Sequence, residues 1–134
     1  MGNARFAAIL AILISVGVAA WPSATQKSVV QGVTVAVTAG TLDEEASVWD
    51  FAVAFDARGR RLDDQVMEDF ILVGDGQIVR PLAWEGQGAA TGHRAGVLKF
   101  IAIRPRPKDL ELRLARKGEA KPRVFRFGFG DWSA

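Results

Sequence analysis

Residues 47–56 read SVWDFAVAFD, and the large side chains fall on alternate positions: Trp49, Phe51, Val53 and Phe55. Successive side chains of a strand point to opposite faces, so these four share one face. Four large apolar groups in one row belong on a buried face. A register slip of one residue would expose them all. Trp49 is therefore expected in a core between two sheets.

The same period recurs on both sides of this stretch. Upstream, Val33, Val35 and Val37 alternate with Thr34, Ala36 and Thr38. Downstream, FILVG, the turn Asp75-Gly76 and QIVRPLAW read as a hairpin, because Asp-Gly supplies positive φ angles. Pro81 removes a backbone donor there and argues for an edge or a bulge. VLKFIAI, then LELRLA after the stiff Arg104-Pro105-Arg106-Pro107 turn, then RVFRFGF continue the series. Phe125, Phe127 and Phe129 share one face of the last, as a core stripe or, with Trp132, a sticky edge. Seven short strands with turn signals between them predict an all-β, immunoglobulin-like sandwich, with a small closed barrel as the alternative.

Two segments interrupt the strands. Asp56 to Asp69 is polar and reads as a crossover holding one helical turn near Asp63 to Glu68, with Asp63 or Asp64 as its cap. Its cluster Asp63, Asp64, Glu68 and Asp69 lacks the residue order of a helix-loop-helix calcium site and reads as a solvated acidic stretch. Glu85 to Gly96 holds four glycines and no large apolar residue, and reads as a long loop.

The N-terminus is of a different kind. Arg5 is the only charged side chain before Lys27, and residues 6–20 read FAAILAILISVGVAA. A basic start, an apolar run and a small-residue exit make a secretory signal peptide over residues 1–24, with cleavage after Ala20 or Ala24. A retained membrane anchor over residues 6–21 is the alternative, although the run falls short of the roughly 20 apolar residues of a spanning helix. Residues 25–134 then form a single domain. The chain has no cysteine, which excludes disulfides, thiol nucleophiles and thiolate metal sites. Export without cysteine points to a bacterial periplasm or exterior.

Charge is uneven along the chain. Thr25 to His93 carries 5 basic and 11 acidic residues, and Arg94 to Ala134 carries 11 basic and 4 acidic. Strands of one sandwich interleave, so the two segments are expected to neutralise each other. Together with export, this argues against a nucleic-acid partner.

One constellation bears on chemistry: Trp84, Glu85, His93 and Arg94 bracket the glycine-rich loop. An aromatic ring, a carboxylate, an imidazole and a guanidinium can bind a small anion or a metal. The structural reading makes Trp84 a core or rim residue, pairs Glu85 with Arg94, and leaves His93 solvated. A transition-metal site needs three or four ligands and the chain has one histidine, so no metal or other cofactor is implied. Asp50 points away from the aromatic face, either to solvent or to a polar contact with Arg94 or Arg80. Ser23, Ser28, Ser47 and Ser133 have no nucleophile-elbow context, so catalysis is not expected.

The runs VTVAVTAGTLDEEASVWDFAVAFD, LAWEG, GHRAGVLKF, RPRPKDLELRL and RVFRF together resemble a group of short exported bacterial domains of unassigned function. The resemblance covers nearly all of the chain after the N-terminal segment. It implies an immunoglobulin-like sandwich and export, and no activity. In that group a histidine often follows the Trp-Asp-Phe strand and two adjacent histidines precede the arginine. Here Asp56 follows Phe55, and only His93 precedes Arg94. The sequence thus predicts an exported envelope module that binds an envelope protein or a small ligand, or plays a structural part. A small-ligand or metal-handling role for the Trp84–Arg94 loop is the alternative, and membrane contact is expected only if the N-terminal segment is retained.

Overall fold

The computed structural model describes residues 24–129. The signal-peptide or anchor reading falls on residues outside that range, as does Trp132. Among the described residues no helix is long and apolar enough to cross a membrane.

The described chain forms β1 (Thr25–Val30), β2 (Val33–Ala39), β3 (Val48–Leu62), α1 (Val66–Asp69) and β4 (Phe70–Gly74). After these come β5 (Gln77–Val79), β6 (Ala83–Gly86), β7 (Ala90–Ile101), β8 (Asp109–Leu114) and β9 (Arg123–Gly128). One sheet has the order β1-β2-β3-β7-β6 and the other β9-β8-β4-β5. Every pairing is antiparallel. The two sheets stack as a sandwich, and the barrel alternative is set aside, because no pairing joins one sheet to the other.

The inner faces are those the alternation marked. Trp49, Phe51, Val53 and Phe55 of β3 are all buried, as are Val33, Val35 and Val37 of β2 and Leu110, Leu112 and Leu114 of β8. The sheets meet through aromatic contacts. Phe51 of one lies 5.3 Å from Phe127 of the other, and Phe55 lies 6.3 Å from Phe70. Phe125, Phe127 and Phe129 are core residues. Trp49 also donates its indole N–H to the Asp43 carbonyl at 2.9 Å, so its polar end is satisfied in the core.

Several expectations need correction. The described residues hold nine strands, not seven. Thr25–Val30, which begins in the polar stretch before β2, is an edge strand whose alternate residues stay exposed. The QIVRPLAW run is two strands in different sheets. Only Gln77–Val79 completes the Asp75-Gly76 hairpin, and the chain then steps through Arg80–Leu82 into the other sheet. Pro81, which has no N–H to give a ladder, stands in that step.

The polar crossover begins later than its composition suggested. β3 continues past Asp56 to Leu62, with a register shift between Ala57 and Arg61. Gly59 there has φ 69°, a conformation that glycine adopts without penalty. α1 is capped neither by Asp63 nor by Asp64, since Gln65 stands at its N-cap without a side-chain bond. Finally, β7 starts at Ala90, so the glycine-rich stretch is mostly strand and leaves only 87–89 as loop.

Candidate functional site

Strand alternation decides which of the sequence-selected residues meet. Arg94 pairs across the ladder with Phe55, and Trp84 with Leu98; both partners are buried, so Trp84 and Arg94 face inward. Their neighbours Glu85 and His93 therefore face outward. The quartet is divided between the two faces of the sheet.

On the inner side, Trp84 and Arg94 converge on Gln87. The Trp84 indole N–H donates to the Gln87 carbonyl at 2.9 Å, and Arg94 Nε donates to the same oxygen at 3.0 Å. The Gln87 side chain accepts from the Ala95 amide at 2.8 Å and closes the short loop. Arg94 Nη1 donates to the Asp64 carbonyl at 2.8 Å, which ties β7 to the crossover before α1. The guanidinium lies 5.7 Å from the centre of the indole ring, within cation–π range. A cavity of about 310 Å³ opens here, lined by Trp84, Arg94, Ala89, Met67, Glu68 and Asp63 among others. Its size is at the small end of ligand sites, which run from about 300 to 1,000 Å³.

Gly96 makes this arrangement possible. A Cβ built on it would lie 2.6 Å from the Trp84 ring and 2.7 Å from the Gly86 backbone. Real Cβ atoms do not approach that closely, and neither an indole nor a paired strand yields easily. Gly96→Ala is therefore expected to push Trp84 off its seat and loosen β6, at an overpacking cost of about 1–3 kcal/mol. Urea melts, together with the Trp84 indole N–H resonance of the variant beside that of the wild type, read both effects.

On the outer face, His93 Nδ1 lies 2.6 Å from Asp56 Oδ1, with both side chains about half exposed. Glu85 pairs with Lys99 at 3.1 Å. The expected Glu85–Arg94 pair is thus absent, because alternation puts the two on opposite faces. Asp50 makes no contact with Arg94 or Arg80. It accepts the Thr41 amide at 2.9 Å, in a space left by Gly40, whose Cβ would fall 2.0 Å from the carboxylate. Arg80 donates instead to the Glu68 carbonyl. Among the described residues no three histidine or carboxylate groups are placed to share a metal ion.

The acidic crossover is not uniformly solvated. The Asp64 carboxylate is only 4% exposed and takes two hydrogen bonds from Arg116, at 2.7 and 3.0 Å. Arg116 also bonds Glu119 at 3.1 Å, and Glu119 takes two bonds from Arg123, at 2.9 and 2.6 Å. Arg123 ends the chain of contacts on the carbonyls of Ser28, Val30 and Val33 in the β1–β2 hairpin. This buried charge network pins the crossover to both sheets. Sequence reasoning missed it, and missed Gln87, since neither single glutamates in turns nor a glutamine between glycines carries a distinguishing signal.

No family model and no curated protein matches the chain. Among solved structures, the secreted protein MPT63 of Mycobacterium tuberculosis matches at 14% identity and a TM-score of 0.48, covering 72% of this chain and 87% of that one. A likeness so loose carries no weight here, and the sandwich stands on its own pairing and packing.

Proposed function

We propose that this chain is an exported cell-envelope module that binds a small ligand at the Trp84–Arg94 end of its sandwich and catalyses no reaction. One observation carries the reading: an aromatic ring and a guanidinium, held together on Gln87, line one cavity beside α1. An apolar wall with a few fixed polar groups is the usual form of a small-molecule site. Export rests on the N-terminal pattern of Arg5 and residues 6–20. The immunoglobulin-like class and the resemblance to short exported bacterial domains belong to the same reading.

Two measurements test it. Protein recovered from its native envelope should have an intact mass beginning at Trp21 or Thr25; a mass retaining residues 6–20 replaces the exported form with an anchored one. In solution, low-molecular-weight envelope fractions should shift the Trp84 indole N–H resonance and leave that of Trp49 in place, with Trp84→Ala folded but unresponsive. Ligand shifts confined to other surfaces overturn the site, and hydrolytic or transfer turnover abolished by His93→Ala overturns the non-catalytic reading.

A further inference from the structure

The Trp84–Arg94 cavity contains an electrostatic mismatch. Arg94 is only 6% exposed, yet among the described residues it makes no ion pair. Its Nε and Nη1 donate to two backbone carbonyls, and among the described residues Nη2 makes no hydrogen bond. A buried cation without a counter-ion is costly, and buried charges are ordinarily paired. The same cavity is lined by Asp63 and Glu68, whose carboxylates carry no ion pair among the described residues. Neither pairs with Arg94 within 4.0 Å, although all three residues line the same cavity, with Arg94 buried and the two carboxylates at its exposed rim. Asp69, at the end of α1, lies outside this cavity but near the same acidic side chains. Burial, the nearby Asp64 and then Glu68 push its carboxyl above the usual range, and the Gln65 and Arg116 contacts oppose them only in part.

From this we infer that the cavity takes a small zwitterion, an amino-carboxylate whose carboxylate meets Arg94 and whose ammonium faces Asp63 and Glu68. A simple anion would meet the two carboxylates, and a simple cation would leave Arg94 unpaired. A ligand with both charges satisfies each wall. The apolar part of such a ligand has the indole of Trp84 and the side chain of Met67 to lie against. Free amino acids and peptides ending in lysine share this chemistry. The inference rests on the binding-module reading of the same site.

The probes are L-lysine, L-lysinamide, glutarate and the dipeptide alanyl-lysine, titrated into the purified protein and followed by the Trp84 indole and Arg94 Nε–H resonances. L-lysine is expected to shift both. Lysinamide, which lacks the carboxylate, and glutarate, which lacks the ammonium, are each expected to bind at least about tenfold more weakly, the loss of one charge-assisted contact. Tighter binding of alanyl-lysine than of lysine assigns the site to a peptide end, and the reverse order assigns it to free amino acids. Arg94→Gln should abolish carboxylate discrimination. Because Arg94 also anchors two backbone segments and its loss could unfold the end of the sandwich, the exposed Asp63→Asn and Glu68→Gln variants supply an independent arm, in which lysine weakens and glutarate strengthens. If lysinamide or glutarate binds as well as lysine, or the rim variants leave lysine unchanged, the zwitterion assignment fails. If envelope fractions still move Trp84 in that case, the binding site survives without it; if nothing moves Trp84, both fall.

Discussion

Trp49→Ala is expected to leave the protein largely unfolded or aggregated under conditions where the wild type is native. Trp49 is 1% exposed and packs 5.8 Å from Phe129 with its indole N–H on the Asp43 carbonyl. Truncating a core tryptophan costs about 3–5 kcal/mol through lost burial and the cavity left behind. Whole domains are stable by only about 5–15 kcal/mol, and loss of the indole also frees the loop carbonyl that it holds. Asp50→Ala makes the internal comparison. Its carboxylate accepts one backbone amide at the partly exposed end of a strand, so the cost should be nearer about 1 kcal/mol. Denaturant melts of the two variants beside the wild type decide the matter. A Trp49→Ala midpoint equal to that of the wild type would remove this row from the core and, with it, the basis of the sandwich.

That contrast follows from one property of the sequence: alternation reports which way a side chain points. It placed Trp49, Phe51, Val53 and Phe55 in the interior, and the sheets pack on those residues. The same rule, carried along β6 and β7, separates Trp84 from Glu85 and Arg94 from His93. Reading the glycine-rich stretch as loop hid this, because glycines signal turns by composition. Here, however, Gly86 and Gly96 lie opposite each other in paired strands, where Gly96 admits the Trp84 ring and Gly86 admits the close approach of the partner backbone. Composition also misplaced the end of β3. Asp56, Arg58, Arg60 and Arg61 look like crossover residues, yet they are the exposed positions of a strand that keeps Phe55, Ala57 and Leu62 in the core.

The charge network was illegible for a different reason. Ion pairs such as Asp64–Arg116 join residues 52 positions apart, and local pattern says nothing about long-range partners. The imbalance of charge between the two parts of the chain did anticipate that acidic and basic segments would meet. Glu85–Lys99, Glu44–Arg106 and Asp64–Arg116 each join the acidic segment to the basic one. Which of these would be buried could not be told, because that depends on how the crossover lies between the sheets.

Burial makes Glu119→Gln the second severe substitution expected. The Glu119 side chain is 2% exposed and stands between Arg116 and Arg123, the latter also 2% exposed. Glutamine keeps the shape but removes the charge that both guanidinium groups share, and breaking a buried pair from one side costs about 3–5 kcal/mol. The pH dependence identifies the cause. The hydrogen bond from Arg123, and with it that from Arg116, holds the Glu119 carboxyl below the usual glutamate range against the opposing effect of burial. A carboxyl with a lowered folded pKa stabilises fully above its unfolded pKa of about 4.3, and that contribution is lost as pH falls through the folded value. Wild-type stability should therefore drop as the solution is acidified below that range, and Glu119→Gln should show a shallower drop from a lower start. Some slope will persist in the variant, because Glu111 is also held low, chiefly by its hydrogen bonds from Arg113. Chemical denaturation of both proteins over an acid series reads the two slopes. A variant within about 0.5 kcal/mol of wild type at neutral pH, the range of ordinary surface substitutions, and parallel to it in acid would show that the network does not hold the crossover. The position of the Asp64 carbonyl, and through it the seat of Arg94, would then need another support.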